Sequence, residues 1–235
     1  MTVQEVMSQL EAWGDPQTKK TFLRHGAKEP FFGVKISNLK ILQKKIKHDN
    51  ALANELFATG NSDAMYLAGL IADGPTMKKA DLERWAKAAH WHMISHYTVP
   101  WVAAESRFGA ELARKWIDSK NEQIAAAGWA TFASMAATLP DEKLELAEFE
   151  RLVDRTVREI HAAPNLVRYV MNGFLIAVGG AIKPLHAKAK AAAKKVGAVA
   201  VDMGDTECKV PLATEYIDKV VKAGKLGAKR KSAKC

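Results

Sequence analysis

With 235 residues, 48% of them hydrophobic and 26% charged, the chain can bury a substantial core and has the composition of a soluble globular protein. No apolar run approaches the roughly 18 residues that span a bilayer, and Met1–Glu5 lacks the basic head and apolar stretch of a secretory signal. Cys208 and Cys235 are too few for a disulfide framework, which points to a reducing cytoplasm, and the net charge of +9 favours a polyanionic partner.

Nearly the whole chain reads as helix. From Ser37 to Lys47, Leu39, Ile41, Leu42 and Ile46 form an apolar stripe opposite Lys40, Lys44, Lys45 and Lys47, with Ser37 or Asn38 as N-cap. A short helix over Ala51–Ala58 stops at Thr59-Gly60, and the next runs from Asn61 to Ala72 before Asp73-Gly74-Pro75. Strand-like alternation is nearly absent; the best candidate is Val196–Met203. Lys183–Lys195 sets Lys188, Lys190, Lys194 and Lys195 on an alanine background, either a solvated basic face or one laid along phosphates. A loop over Val201–Pro211 and a last helix near Thr214–Ala223 precede a basic tail. That tail holds six of the cations counted from Lys222 to Lys234, and without them the net charge is +3.

The helices recur. Leu52, Leu56 and Asn61 return sixty positions later as Leu112, Trp116 and Asn121. Each Asn opens an apolar helix with a glycine two turns in: Asn61 with Gly69, Asn121 with Gly128, and a third copy, Asn165 with Gly173. Asn is a good cap, and a glycine within a helix lets a neighbour approach closely. Repeated helix pairs that cannot bury their own faces predict an all-α fold, an α-α superhelix or solenoid, with a plain bundle as the alternative. No internal linker divides the chain, so residues 1–224 are expected to form a single domain and 225–235 a flexible basic tail.

One stretch concentrates functional chemistry. His90–Glu105 holds three histidines, two tryptophans, a tyrosine and a carboxylate in sixteen residues. It either lines a working surface or supplies core aromatics to a helix pair. His92 and His96 are one turn apart and could share an ion, but His90 points elsewhere and no Cys or Asp completes a shell, so no metal site is expected. Asp202, Asp205 and Glu207 lack the full spacing of a calcium loop and suit turns better. Cys208 reads as a buried or half-buried thiol.

The Ser37-Asn38-Leu39-Lys40 helix, Gly60-Asn61-Ser62-Asp63-Ala64, the aromatic segment before Glu111-Leu112-Ala113, and Ala163-Pro164-Asn165 with Arg168-Tyr169 resemble the DNA alkylation repair family from about Phe31 onward. The resemblance implies HEAT-like helical pairs curved around duplex DNA, and a monomer that needs neither a membrane nor a small-molecule cofactor. Active members are DNA glycosylases that release N3- and N7-alkylated purines without flipping the base into a pocket. They place an aspartate one turn after a tryptophan, where its charge stabilises the oxocarbenium-like sugar as the cationic base departs. Trp91 matches that tryptophan, but Ser95 stands where the aspartate would. The family's second contacting tryptophan falls near Gly173 or Phe174, and an arginine expected at the start of the helix containing Trp129 has no clear counterpart.

The resemblance therefore leaves three functions open. In a glycosylase, Trp91 contacts the damaged nucleotide and Glu105, the nearest downstream carboxylate, replaces the aspartate; otherwise Glu105 is a salt-bridge or cap residue. In an inactive binder of damaged or branched DNA, the groove holds DNA through His92, Ser95, His96, Arg168, Asn172, Lys209, Lys229, Arg230 and Lys231. In a protein-interaction scaffold, the basic residues are scattered over both surfaces.

Overall fold

The computed structural model describes residues 1–234; Cys235 lies outside the described residues. Among the described residues there are thirteen α-helices, and the sole β-type pairing is an isolated bridge between Gly14 and Val34. Helices α1 (Val3–Ala12) and α2 (Pro16–Arg24) form an N-terminal hairpin, followed by α3 (Ile36–Ile46). Five pairs come next: α4 (Asn50–Ala58) with α5 (Ser62–Ile71), α6 (Lys79–Ala88) with α7 (Val99–Glu105), α8 (Gly109–Ile117) with α9 (Glu122–Thr138), α10 (Leu146–Glu159) with α11 (Asn165–Ala181), and α12 (His186–Val196) with α13 (Ala213–Lys222). The second helices form one row, in which α9 packs on both α7 and α11, and α11 on α13.

The first helices form the other row, and its polar surface is sewn by ion pairs between successive repeats. Lys79 reaches Glu111, Lys115 reaches Glu83 at 2.6 Å, Arg114 clasps Glu148 and Glu145 at 2.6 and 2.9 Å, and Arg155 meets Asp118 at 2.7 Å. Lys188 then bridges Glu150 and Asp154, and Lys190 pairs with Asp218. Pairs this exposed contribute about 0–1 kcal/mol each, so they fix register more than they stabilise. They also bear on the Lys-rich helix: Lys188 is neutralised by the preceding repeat and Lys190 by α13 of its own pair, while Lys194 and Lys195 stay exposed.

The repeat signatures hold where their chemistry is local. Asn61 and Asn121 are N-caps, each accepting two backbone N–H groups of the helix it opens. A Cβ on Gly69 would lie 2.6 Å from Thr98 Cγ2, and one on Gly128 2.6 Å from the Ile117 backbone nitrogen, so both glycines permit close helix contact. The third copy differs. Pro164 takes the cap position, Asn165 turns away to exchange two hydrogen bonds with the Asp202 backbone, and nothing lies within 4 Å of a Cβ on Gly173. At α3 the cap residue is Lys35, with no side-chain bond, in place of Ser37 or Asn38.

Two C-terminal segments depart from expectation. Residues 197–212, which include the candidate strand except Val196, the last residue of α12, form an irregular strap. It is pinned to α11 at Asp202 (by Asn165) and at Pro211, whose carbonyl accepts from Asn172 Nδ2 at 2.9 Å, and it reaches α2, where Gly204 approaches the Arg24 carbonyl. The tail from residue 225, expected to be flexible, lies along the ends of the row. The Gly227 N–H donates to Gly180 O, the Arg230 N–H to Ala137 O, and Lys234 Nζ to the carbonyls of Leu70 and Ala72. Ala233 is fully buried. Backbone pairing and a buried alanine hold this segment despite its disorder-like composition.

Candidate nucleic-acid interface

The aromatic segment is helical from His92 onward, with a π-helical turn at Ile94–Thr98. Its cause is Pro100, which lacks an N–H and whose ring crowds the carbonyl four residues back, that of His96; a widened turn relieves the clash. The extra residue places both His96 and Tyr97 on the face that also carries His92 and Trp101. Against this face stand Tyr169 of α11, whose ring stacks on His96 at 5.7 Å and 16°, and Gln123 of α9.

Two hollows open there. The first, of about 340 Å³, runs from Arg24, His25 and Lys28 past His92 to Gln123 and Tyr169, with Val201–Gly204 of the strap as one wall. The second, of about 360 Å³, lies between Trp101, Ser134, Gly173 and Arg230. His96, Tyr97 and Tyr169 belong to both, so they form the partition of one continuous trough.

The electrostatics of the trough are those of neutral rings. Burial lowers the pKa of His92 to about 4, helped by nearby His25, and that of His96 to about 3, helped by His92. Both ring nitrogens of His96 are buried without a hydrogen-bond partner among the described residues. The carboxylate in the first lining is that of Asp202, whose Oδ1 accepts from the Gly204 N–H within the strap. Arg24, Lys28, Lys209 and Arg230 are exposed and form no ion pair among the described residues.

The residues singled out in the sequence are distributed unevenly over this site. Trp91, expected to be exposed, is 4% exposed: its Nε1–H donates to the His25 carbonyl at 2.9 Å and its ring packs on Phe22. It is a wall that shows one edge to the first hollow. Ser95 lies one turn on, its N–H donating to Trp91 O, but the side chain is fully buried and donates to Gln123 Oε1. Glu105 is in neither hollow. It accepts from Ser232 Oγ at 2.6 Å and the Ala233 N–H at 2.9 Å, so it anchors the tail. Lys229 is likewise committed, to Asp141 and the Ala136 carbonyl at 2.8 Å each.

Asn172 is buried and holds the strap, with its Oδ1 unpartnered at the edge of the second hollow. Arg168 is half-buried beside Tyr169, its Nε enclosed and unpartnered. Lys209 and Lys231 are exposed. Phe174 is fully buried against Phe149 and Trp129, and Gly173 leaves open the place near which the family carries an aromatic side chain. Cys208 is exposed, contrary to expectation. His90 bonds the Gly60 carbonyl, and among the described residues no three of His, Cys, Asp and Glu converge on a metal position. Tyr97 and Trp101 lie in the aromatic stretch that the sequence marked, though not as individual site residues. Arg24, His25, Lys28 and Gln123 carry no local signal, because the fold alone brings them to the trough.

Paired helices, a strap across one row and an aromatic trough fringed by cations define a HEAT-like α-solenoid. Residues 6–196 match the sequence profile of the DNA alkylation repair enzymes, and the chain belongs to the DNA alkylation repair family. It is similar to two bacterial proteins described as uncharacterized: Lin0241 of Listeria innocua at 34% identity and Lmo0209 of Listeria monocytogenes at 33%, each alignment covering 93% of this chain and 97% of the other. Among solved structures it is similar, over the full length of both chains, to one with a TM-score of 0.91 and 38% identity. That structure is described as representing a new family of proteins related to the HEAT-like repeat DNA glycosylases, with affinity for branched DNA structures.

Proposed function

We propose that this protein binds branched DNA in its trough and does not hydrolyse the glycosidic bond. One observation carries the second half of this reading: the position one turn after Trp91 holds Ser95, buried and bonded to Gln123. A serine hydroxyl supplies no negative charge to an oxocarbenium-like sugar, and preorganised charge is the largest single contribution to catalysis of this kind. Glu105 does not substitute, because the tail occupies it. The first half draws support from the structural relative's affinity for branched DNA and from Arg24, Lys28 and Arg230, the exposed cations that line the two hollows.

The experiment is a binding titration of three-way junction and linear duplex over a range of salt, beside an assay for base released from duplex containing 7-methylguanine. The junction is expected to bind more tightly, with no release. Contacts from Arg24, Lys28, Lys209 and Arg230 give a log–log salt slope of roughly −3 to −4. Release of 7-methylguanine above the protein-free blank would overturn the non-hydrolytic reading. Equal affinity for junction and duplex would overturn the branch preference.

A further inference from the structure

We infer that the first hollow receives one nucleobase turned out of a DNA strand at the branch. The inference rests on the DNA-binding reading above and assigns a ligand to a site within it. Its anchor is His96, 6% exposed, which lines the hollow as part of the partition and whose two ring nitrogens are buried and unpartnered among the described residues. Burial of a polar group without a partner is unfavourable, and a neutral imidazole offers one donor and one acceptor. The edge of a nucleobase presents both.

The surroundings select the same ligand. His92, Tyr97 and Tyr169 supply half-buried rings around the opening, with Trp91 as a side wall, and aromatic faces stack on any base. The volume of about 340 Å³ is at the low end of the roughly 300–1,000 Å³ of small-molecule clefts, fitting a single heterocycle better than a larger ligand. The Asp202 carboxylate, also in the lining, accepts from the Gly204 N–H within the strap. Arg24 and Lys28 at the mouth are placed for the flanking phosphates, and the shared partition lets a strand continue into the second hollow. These features favour a base still attached to its strand over a free nucleoside.

The test is a thermodynamic cycle. Two three-way junctions are compared, one with an unpaired adenine at the branch and one with an abasic residue in its place. The full-length protein is expected to bind the adenine junction about tenfold more tightly, the scale of one base–aromatic stack. Tyr169→Leu and His92→Ala, each at a half-buried site and each checked by thermal melting, should bring the two affinities together, whatever either variant loses in binding to both junctions alike. Equal affinity of the unaltered protein for both junctions would overturn the inference and leave the DNA-binding reading standing, whereas failure to bind either junction would remove both. Retention of the tenfold preference by both folded variants would overturn the assignment to this hollow. Saturable binding of free adenosine without any junction preference would mark a nucleoside site instead.

Discussion

Replacing Glu105 with alanine should loosen the C-terminal segment and lower the stability of the protein. The carboxylate accepts from Ser232 Oγ and from the N–H of fully buried Ala233, and Lys234 Nζ lies 4.0 Å away. A hydrogen bond to a charged group is worth about 1.5–3 kcal/mol, and an abandoned buried N–H costs about 1–3 kcal/mol. The two effects overlap, and the carboxylate side chain keeps 23% of its surface in water, so a net loss of about 3 kcal/mol is expected. In a chain of this size that lowers the Tm by roughly 6–12 °C. The loss is capped by the docking energy of the tail, since a released tail can lose no more than its own contacts. Glu105→Gln keeps an acceptor and should lose about half as much. Calorimetry supplies the Tm, and brief trypsin treatment reports whether Lys225, Lys229 and Lys231 have become cleavable together. A Tm within about 2 °C of the parent, with the tail equally protected, would refute the anchoring role of Glu105.

Two further predictions come from the repeat glycines and the histidines. Gly173→Ala, which meets nothing within 4 Å, should stabilise α11 by about 0.5–1 kcal/mol, whereas Gly128→Ala, 2.6 Å from the Ile117 backbone, should destabilise by more than 1 kcal/mol; urea midpoints measure both. His96 is held neutral with its pKa near 3, and an unfolded histidine titrates near 6.5, so below that pH the unfolded state binds the extra proton. Stability should therefore fall as the pH drops from about 6.5 toward 3, with His96 contributing roughly 1.4 kcal/mol per pH unit once its unfolded form is protonated. In His96→Phe the loss between pH 7 and 5 should be smaller, by chemical denaturation at each pH; an unchanged loss would refute the neutral buried state.

What the sequence disclosed was what depends on near neighbours. Asn61 and Asn121 cap helices through N–H groups two and three residues ahead, and that chemistry can be read without a fold. Asn165 obeys the same pattern on paper, but Pro164 precedes it and its partner is Asp202, thirty-seven residues away. Trp91 seemed exposed because the family places its tryptophan on the lesion, yet its burial depends on Phe22 and on the His25 carbonyl, sixty-six residues distant. The tail is the extreme case. A run of Lys, Gly and Ala has the composition of a mobile segment, and its anchor at Glu105 lies 127 residues upstream of Ser232. Burial of Ser95 was equally hidden, since its partner Gln123 comes from the next helix pair.

The strap and the tail also change how the solenoid holds itself together. In an open stack each repeat touches only its neighbours, so the ends fray first and the chain behaves as a one-dimensional array. Here the strap runs from α11 to the start of the chain, where Gly204 packs against the Arg24 carbonyl, and the tail carries Lys234 back to the carbonyls of α5 and its cap. The two terminal regions are thereby coupled, and loosening one exposes the other. Amide exchange at the N-terminal hairpin should thus answer to substitutions in the C-terminal strap, and the molecule should unfold as one cooperative unit, without fraying repeat by repeat.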